Sequence, residues 1–108
     1  MTRIASELPR GLTRYKVTQP FTGATVPQSL LRAHSTKAGA WGLLRVLSGQ
    51  VRYCLDNGSN AGVTVAAGGT AVIEPEMPHH VELLDRDSSF LVEFYRTAAS
   101  LDGERAPS

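Results

Sequence analysis

LLRVLSGQVRYCL, residues 43–55, is the stretch that decides the fold class of this chain. The apolar spacing of Leu43–Leu47 would suit a helix or a strand, but Gly42 and Gly49 bracket it too closely for a stable helix. In the second half, apolar side chains recur at every second position, the period of a half-buried strand. These side chains are Val51, Tyr53 and Leu55. The stretch therefore predicts strands rather than a helix.

Short apolar segments separated by turn residues continue along the chain. Residues 56–60 contain Asn and Gly, which tolerate positive φ, and so predict a hairpin turn. The later segments with strand character are Val63–Val65, Thr70–Ile73, His79–Leu83 and Phe90–Tyr95. No segment of a dozen residues keeps a helical period. Closely spaced strands with ten Gly and six Pro predict an all-β sandwich or small barrel.

Composition limits the classes of partner. A chain of 108 residues is expected to form one domain and to leave no room for a second catalytic unit. Eleven basic and ten acidic residues give a net charge of +1, without the basic stripe that nucleic-acid binding requires. The longest uncharged run, residues 57–73, is too short and too polar to span a bilayer, which takes about 20 apolar residues. We therefore expect neither nucleic acid nor a membrane as partner.

The single cysteine and the chain ends favour the cytoplasm. Cys54 cannot form an intrachain disulfide, and it is most simply a strand residue, with a redox or metal role as the alternative. The first residues contain no apolar core of the length that a signal peptide needs. We expect the domain to occupy residues 8–97, with residues 1–7 and 98–108 as flexible terminal segments.

Three histidines are the candidate functional residues. His34 is far in sequence from the pair His79-His80, so only a folded β structure can bring these imidazoles together. His79 shares its strand face with Val81. If the segment around His34 is a strand, the residues on the face of His34 are Leu30, Arg32 and Thr36. Each histidine is alternatively a hydrogen-bonded residue without a ligand. Neutral imidazole binds Zn, Ni, Cu and Fe(II), so a metal site is the sharper hypothesis.

The order of these features resembles the cupin superfamily. Residues 46–51 resemble the Val-Leu-x-Gly hairpin of the first cupin motif, and Gly68 precedes His79 by the eleven positions of the second. Gly69 and His80 have the same separation, so the two histidines compete. The proline before His79 and its predicted inward face favour His79. The resemblance implies a single-domain cupin-like β-barrel, the double-stranded β-helix or jelly roll.

Three segments resemble one branch of that superfamily more closely. They are residues 12–16, residues 34–42 with the pattern His-x-Thr-Lys-x-Gly-x-Trp-Gly, and residues 74–82. Small cupins of the tellurite-resistance group share them, both as N-terminal modules of tellurite-resistance methyltransferases and as free-standing relatives. The resemblance implies a divalent metal in the barrel and no defined reaction. We expect zinc first, with iron, nickel or manganese as alternatives.

The sequence departs from the wider cupin pattern at two ligand positions. Thr36 stands in place of the second His, and Gly42 stands near the place of the Glu ligand. The predicted metal ligands are therefore His34 and His79, which supply only half of a tetrahedral shell. Solvent or a further side chain must complete it. The candidates for that further ligand are Glu82, His80, Glu76 and Glu74.

Four residues are candidates for binding a second ligand beside the metal. Lys37 would hold an anion or cap an exposed turn, and Arg32 would hold an anion if it points inward. Trp41 is a core plug or a pocket wall. Thr36, two positions after His34, is the fourth candidate.

The predicted function is that of a stand-alone metal-binding cupin module with a small anionic ligand, in tellurite or another stress response. The alternative is a metal-free binding or sensor module. A cupin-type dioxygenase is disfavoured by Thr36 and Gly42, and the sequence does not decide whether the protein is an enzyme. Cupins commonly pair through edge strands, so a homodimer is expected.

Overall fold

The computed structural model describes residues 7–97 and confirms the prediction of an all-β domain. Its strands in chain order are β1 (Leu12–Val17), β2 (Phe21–Thr22), β3 (Trp41–Ser48), β4 (Gln50–Leu55), β5 (Gly62–Ala66), β6 (Thr70–Ile73), β7 (His79–Leu83) and β8 (Ser89–Thr97). A 3-10 turn at Gln28–Leu31 is the helical element of this range. None of the helical structure described here is long and apolar enough to cross a membrane. The predicted flexible ends at residues 1–6 and 98–108 lie outside the described residues.

The strands form two antiparallel sheets. The larger sheet has the order β1-β8-β3-β6, with β2 also paired to β8, and the smaller has the order β5-β4-β7. Between residues 7 and 97, no strand of one sheet pairs with a strand of the other. The predicted barrel is therefore an open pair of sheets, with the apolar core between them.

The stretch at 43–55 forms β3 and β4, as its pattern predicts. The inward side chains of both strands are buried, and Phe90 of β8 belongs to the same core cluster. Gly49 joins the strands with φ of +65°, a conformation that residues with a Cβ rarely adopt. Its backbone also lies against Ser88, so that a Cβ would come within 2.6 Å of the Ser88 Oγ. The connection thus requires glycine for two separate reasons.

Residues 56–60 form the predicted hairpin turn between β4 and β5. The side-chain Oδ1 of Asn57 accepts a hydrogen bond from the backbone N–H of Ser59 at 3.1 Å, an Asx turn. The hairpin places β4 in the centre of the smaller sheet, where it pairs with β5 on one side and β7 on the other. Cys54 is half-buried on β4, in agreement with its interpretation as a strand residue.

Residues 30–36 do not form the strand on which the face of His34 was predicted. The chain turns through the 3-10 segment after Pro27, and only His34 then pairs, as an isolated bridge to His79. The alternation of faces therefore does not extend to Arg32. Its side chain is exposed and donates a hydrogen bond to the Oε1 of Gln28 at 3.3 Å.

Candidate functional site

His34 and His79 meet at the edge of the core. The backbone N–H of each donates to the carbonyl oxygen of the other, at 2.9 Å from His34 and 2.7 Å from His79. These two backbone hydrogen bonds fix the residues side by side, with their ring centroids 4.1 Å apart. The ring centroid of Tyr53 lies 5.2 Å from that of His79. His79 is 2% exposed, so the chain itself encloses this imidazole.

Both imidazoles are held by their Nδ1 atoms. The Nδ1 of His79 lies 2.8 Å from the carbonyl oxygen of Met77, and that of His34 lies 3.2 Å from the carbonyl oxygen of Arg32. A carbonyl oxygen only accepts hydrogen bonds, so each Nδ1 carries the hydrogen. In the neutral ring the lone pair then lies on Nε2. Histidine ligands of metals are typically oriented in this way.

The surroundings of His79 favour its neutral form. The pKa of His79 is lowered to about 4, mainly by burial; the hydrogen bond to the Met77 carbonyl opposes this effect, and the nearby His34 adds to it. At neutral pH the ring is therefore uncharged. Neutral imidazole is the form that binds a metal ion.

A cavity of about 30 Å³ lies against both imidazoles. This volume exceeds the roughly 10–15 Å³ that one water molecule needs. Its other walls are apolar except for Thr36, whose hydroxyl donates to the carbonyl oxygen of Ala40 at 2.8 Å. Among residues 7–97, no group of three His, Cys, Asp or Glu side chains includes His34 or His79. The donors present thus fit a metal ion bound by two imidazoles and completed by water or a ligand.

A wider cavity of about 450 Å³, here called the mouth cavity, opens beside this pair. His34 and Thr36 belong to the walls of both cavities, so the mouth cavity lies against the His34 side of the imidazole pair. The described lining residues include cationic side chains and no acidic one. The cations are Lys16, Lys37 and Arg96. Such a wall attracts anions.

Two of the four predicted ligand-binding residues, Thr36 and Lys37, line the mouth cavity. Arg32 and Trp41 are not among its described lining residues. Trp41 lies on β3 in register with Tyr95 of β8, and its burial is intermediate, whereas the fully buried residues of β3 alternate with it. Its side chain therefore has the parity of the outer face of the larger sheet.

Strands β1 and β8 provide a part of the mouth cavity that the sequence pattern did not indicate. Lys16 pairs with Phe94 across these strands, after a register shift between Arg14 and Lys16. Arg96 follows Phe94 on the same face of β8, and its guanidinium lies 5.6 Å from the centroid of the Tyr15 ring. In the sequence, Arg96 is a charged residue on the face of β8 that carries Phe94. This position is the signal that could have indicated the β1–β8 part of the cavity.

The family follows from a comparison with known proteins. The TehB-like domain matches residues 16–92, which include both histidines and most of the mouth cavity. This match covers well over half of the chain. The chain belongs to the TehB-like domain family.

The relatives of this TehB-like domain include a much longer protein. The chain is 31% identical over 85 residues to the probable S-adenosyl-L-methionine-dependent methyltransferase TehB from two strains of Haemophilus influenzae. The match covers 75% of this chain but 30% of each relative. The crystal structure of H. influenzae TehB matches with a TM-score of 0.78 and 27% identity, covering 92% of this chain and 36% of that one.

A second solved structure is similar over nearly its whole length. This protein from Escherichia coli strain K12 has a TM-score of 0.79 and 23% identity, and the match covers 86% of the TehB-like domain and 98% of the E. coli chain. At this identity the likeness shows the fold alone.

The other four predicted metal ligands of the TehB-like domain lie on the outer face of β7 or in the connection before it. His80 and Glu82 follow His79 on β7 with the opposite parity, so they project from the outer face of the smaller sheet. Glu74 and Glu76 lie in the connection between β6 and β7. Glu76 is exposed, and its backbone N–H donates to the carbonyl oxygen of Thr36 at 3.1 Å. The structure brings together His34 and His79, and none of the other four completes a close group of three donor atoms with them.

Proposed function

We propose that this TehB-like domain binds a divalent metal ion through His34 and His79 and a small anion in the mouth cavity. The observation that carries the proposal is the fixation of both Nδ1 atoms by backbone carbonyl oxygens. It leaves the Nε2 lone pairs of two neighbouring imidazoles available as ligands.

Zinc is the first candidate for the ion. Two imidazoles and open positions suit zinc, while iron, nickel and manganese remain alternatives that nitrogen ligands alone do not separate. A bound ion would act as a Lewis acid toward an oxygen of the second ligand. The apolar residues around His79 exclude bulk water, and the backbone bonds keep the ring orientation constant.

The anion is supported by the charges around the mouth cavity. Lys16, Lys37 and Arg96 contribute positive charge, and Thr36 and His34 line both this cavity and the smaller one against the imidazoles. An oxyanion with several oxygen atoms would accept hydrogen bonds from more than one of these side chains at once. In the cell, the proposed role of this domain is in the response to tellurite or another stress oxyanion.

Methyl transfer is not part of the proposal. The curated relatives carry that activity in their name, but this chain matches only 30% of their length. A cytoplasmic location is proposed because the one cysteine has no partner cysteine in the sequence. A homodimer is proposed because β1 and β6 end the larger sheet and leave edges for pairing.

The metal site is tested by long-range ¹H–¹⁵N spectra of the histidine rings during a zinc titration. The Nε2 signals of His34 and His79 should both move from the position of a free lone pair, and a chelator should reverse the change. The single variants His34→Gln and His79→Gln should each abolish this response, while circular dichroism confirms that they fold. If saturating zinc leaves both Nε2 signals unchanged, the metal proposal is wrong.

A metal-free anion-binding module is the second candidate. It is favoured by the absence of a third His, Cys, Asp or Glu ligand around the imidazole pair in the described part of the chain. Calorimetry with sulfate separates the two candidates. Equal sulfate affinity in the presence of zinc and of a chelator would favour the metal-free module.

A further inference from the structure

The outer face of the smaller sheet carries a second group of potential metal ligands. Cys54 lies on the central strand β4 and is in register with His80 of β7. Glu82 follows two positions later on β7, and so points to the same face. The inward neighbours of these residues, Tyr53 and Val81, are buried in the core. The group is therefore separated from the imidazole pair by the sheet itself.

The ligand atoms of this group are close enough to share one ion. The Cys54 Sγ, a His80 ring nitrogen and a Glu82 carboxylate oxygen all lie within 4.8 Å of one another. The Nε2 of His80 is 3.1 Å from the Oε2 of Glu82. A metal ion placed between donors at bond lengths of about 2.0–2.3 Å requires donor separations below this limit.

His80 is already oriented for such a role. Its Nδ1 lies 2.7 Å from the Oδ2 of Asp56, at the end of β4, so the carboxylate holds the ring from behind. The Nε2 consequently faces the carboxylate of Glu82. A carboxylate on the far nitrogen of a histidine is the usual second contact of zinc ligands, because it fixes the ring and raises its basicity.

We propose that Cys54, His80 and Glu82 form a metal site for zinc or a similar thiophilic divalent ion, with Asp56 as the positioning residue for His80. One sulfur, one nitrogen and one oxygen ligand leave a fourth tetrahedral position open to water or a ligand. This site is distinct from the imidazole pair and does not depend on the function proposed for it.

The charges around the site match a divalent ion. Binding requires that the thiol proton of Cys54 and any proton on the Nε2 of His80 are released to solvent. The thiolate, Glu82 and Asp56 then contribute three negative charges, and Arg52, which also lies beside Cys54, contributes one positive charge. The remaining two negative charges equal the charge of the ion. Arg52 also donates to the Oγ1 of Thr64 at 3.3 Å, which draws it toward β5.

Cobalt(II) provides a direct test, because only a thiolate ligand gives a sulfur-to-cobalt charge-transfer band in the near ultraviolet. The reduced full chain should develop this band with about one equivalent of cobalt, and zinc should displace it. Cys54→Ser should abolish the band, whereas the double variant His34→Gln/His79→Gln should retain it. This pair of variants separates failure of the present site from failure of the imidazole site.

Substitutions of the other residues of the site should lower the affinity for cobalt by different amounts. His80→Gln and Glu82→Gln each remove a ligand and should weaken cobalt binding at least tenfold. Asp56→Asn should weaken it about 10–100-fold, as loss of an outer carboxylate does elsewhere. Asp85→Asn is the matched control, since Asp85 is an exposed carboxylate beyond the end of β7. It should leave the affinity unchanged.

A measurement on the unaltered protein covers variants that fail to fold. Zinc should slow the alkylation of Cys54 by iodoacetamide, and a chelator should restore the rate. Equal alkylation rates with and without zinc, or a cobalt spectrum without a Cys54-dependent band, would show that the group is only an ion-pair network on the sheet surface and would overturn the proposal.

Discussion

Replacement of Gly49 by alanine tests the requirement for glycine between β3 and β4. The added Cβ would occupy a positive-φ position, which costs a residue with a side chain about 1–2 kcal/mol. It would also lie 2.6 Å from the Oγ and 2.8 Å from the Cα of Ser88, so the buried Ser88 must move.

The cost of that movement follows from the hydrogen bonds of Ser88. Its hydroxyl donates to the carbonyl oxygen of Gln50 at 2.7 Å and accepts from the backbone N–H of Gln50 at 3.2 Å and of Asp85 at 3.0 Å. Displacement of a buried group from its partners costs about 1–3 kcal/mol. Together with the backbone cost, Gly49→Ala should lower the free energy of unfolding by about 2–5 kcal/mol.

Gly68→Ala is the matched control for Gly49→Ala. Gly68 also has positive φ, +89°, but a Cβ there would meet no heavy atom within 4 Å. Only the backbone cost of about 1–2 kcal/mol should apply to it. Urea denaturation followed by circular dichroism measures both variants, and the difference between them isolates the contact with Ser88. Equal losses of stability in the two variants would refute the reasoning.

Three further predictions concern charge and packing. Burial raises the pKa of Glu93, but the hydrogen bonds from Arg45 and Tyr95 outweigh the effect of burial and hold the pKa below its ordinary value. The stability that the Glu93 carboxylate provides is thus present above its unfolded-state pKa and is lost as the pH falls through its folded-state pKa. Glu93→Gln should therefore make the free energy of unfolding depend less on pH in the acid range. An unchanged pH dependence would contradict this. Lys37→Ala should weaken sulfate binding by up to about fivefold, which corresponds to roughly 1 kcal/mol for an exposed charge. Calorimetry measures the affinity, and Arg86→Ala is the control variant that should leave it unchanged. Phe90→Ala should cost about 3–5 kcal/mol in thermal unfolding, since Phe90 is fully buried; a loss below 1 kcal/mol would contradict its place in the core.

The strands were predictable because their causes are local. Alternation in residues 50–55 and glycine at position 49 specify a strand and its end without reference to distant residues. The meeting of His34 and His79 was expected from the order of motifs, and the structure brings the two residues into one bridge. The face of Arg32 was not predictable, because alternation applies only within a strand and this residue follows a 3-10 turn.

The two groups that sequence reasoning missed both depend on pairing between distant strands. The Lys16 side of the mouth cavity requires the pairing of β1 with β8 and the register shift within it. Cys54 and His80 become neighbours only through the pairing of β4 with β7. A period along one strand identifies the face of a residue but not its partner across the sheet.

The adjacent histidines of β7 show how strictly the register of this strand must be kept. His79 faces the core and His80 faces outward, and each has a Gly eleven positions before it. Deletion or insertion of a single residue in the connection before β7 would therefore exchange them. The interior would still contain an imidazole, but that ring would lose its tie to the Met77 carbonyl, and the outer group would lose the contact with Asp56. Loop length before β7, rather than histidine content, thus decides which imidazole faces the core of this domain.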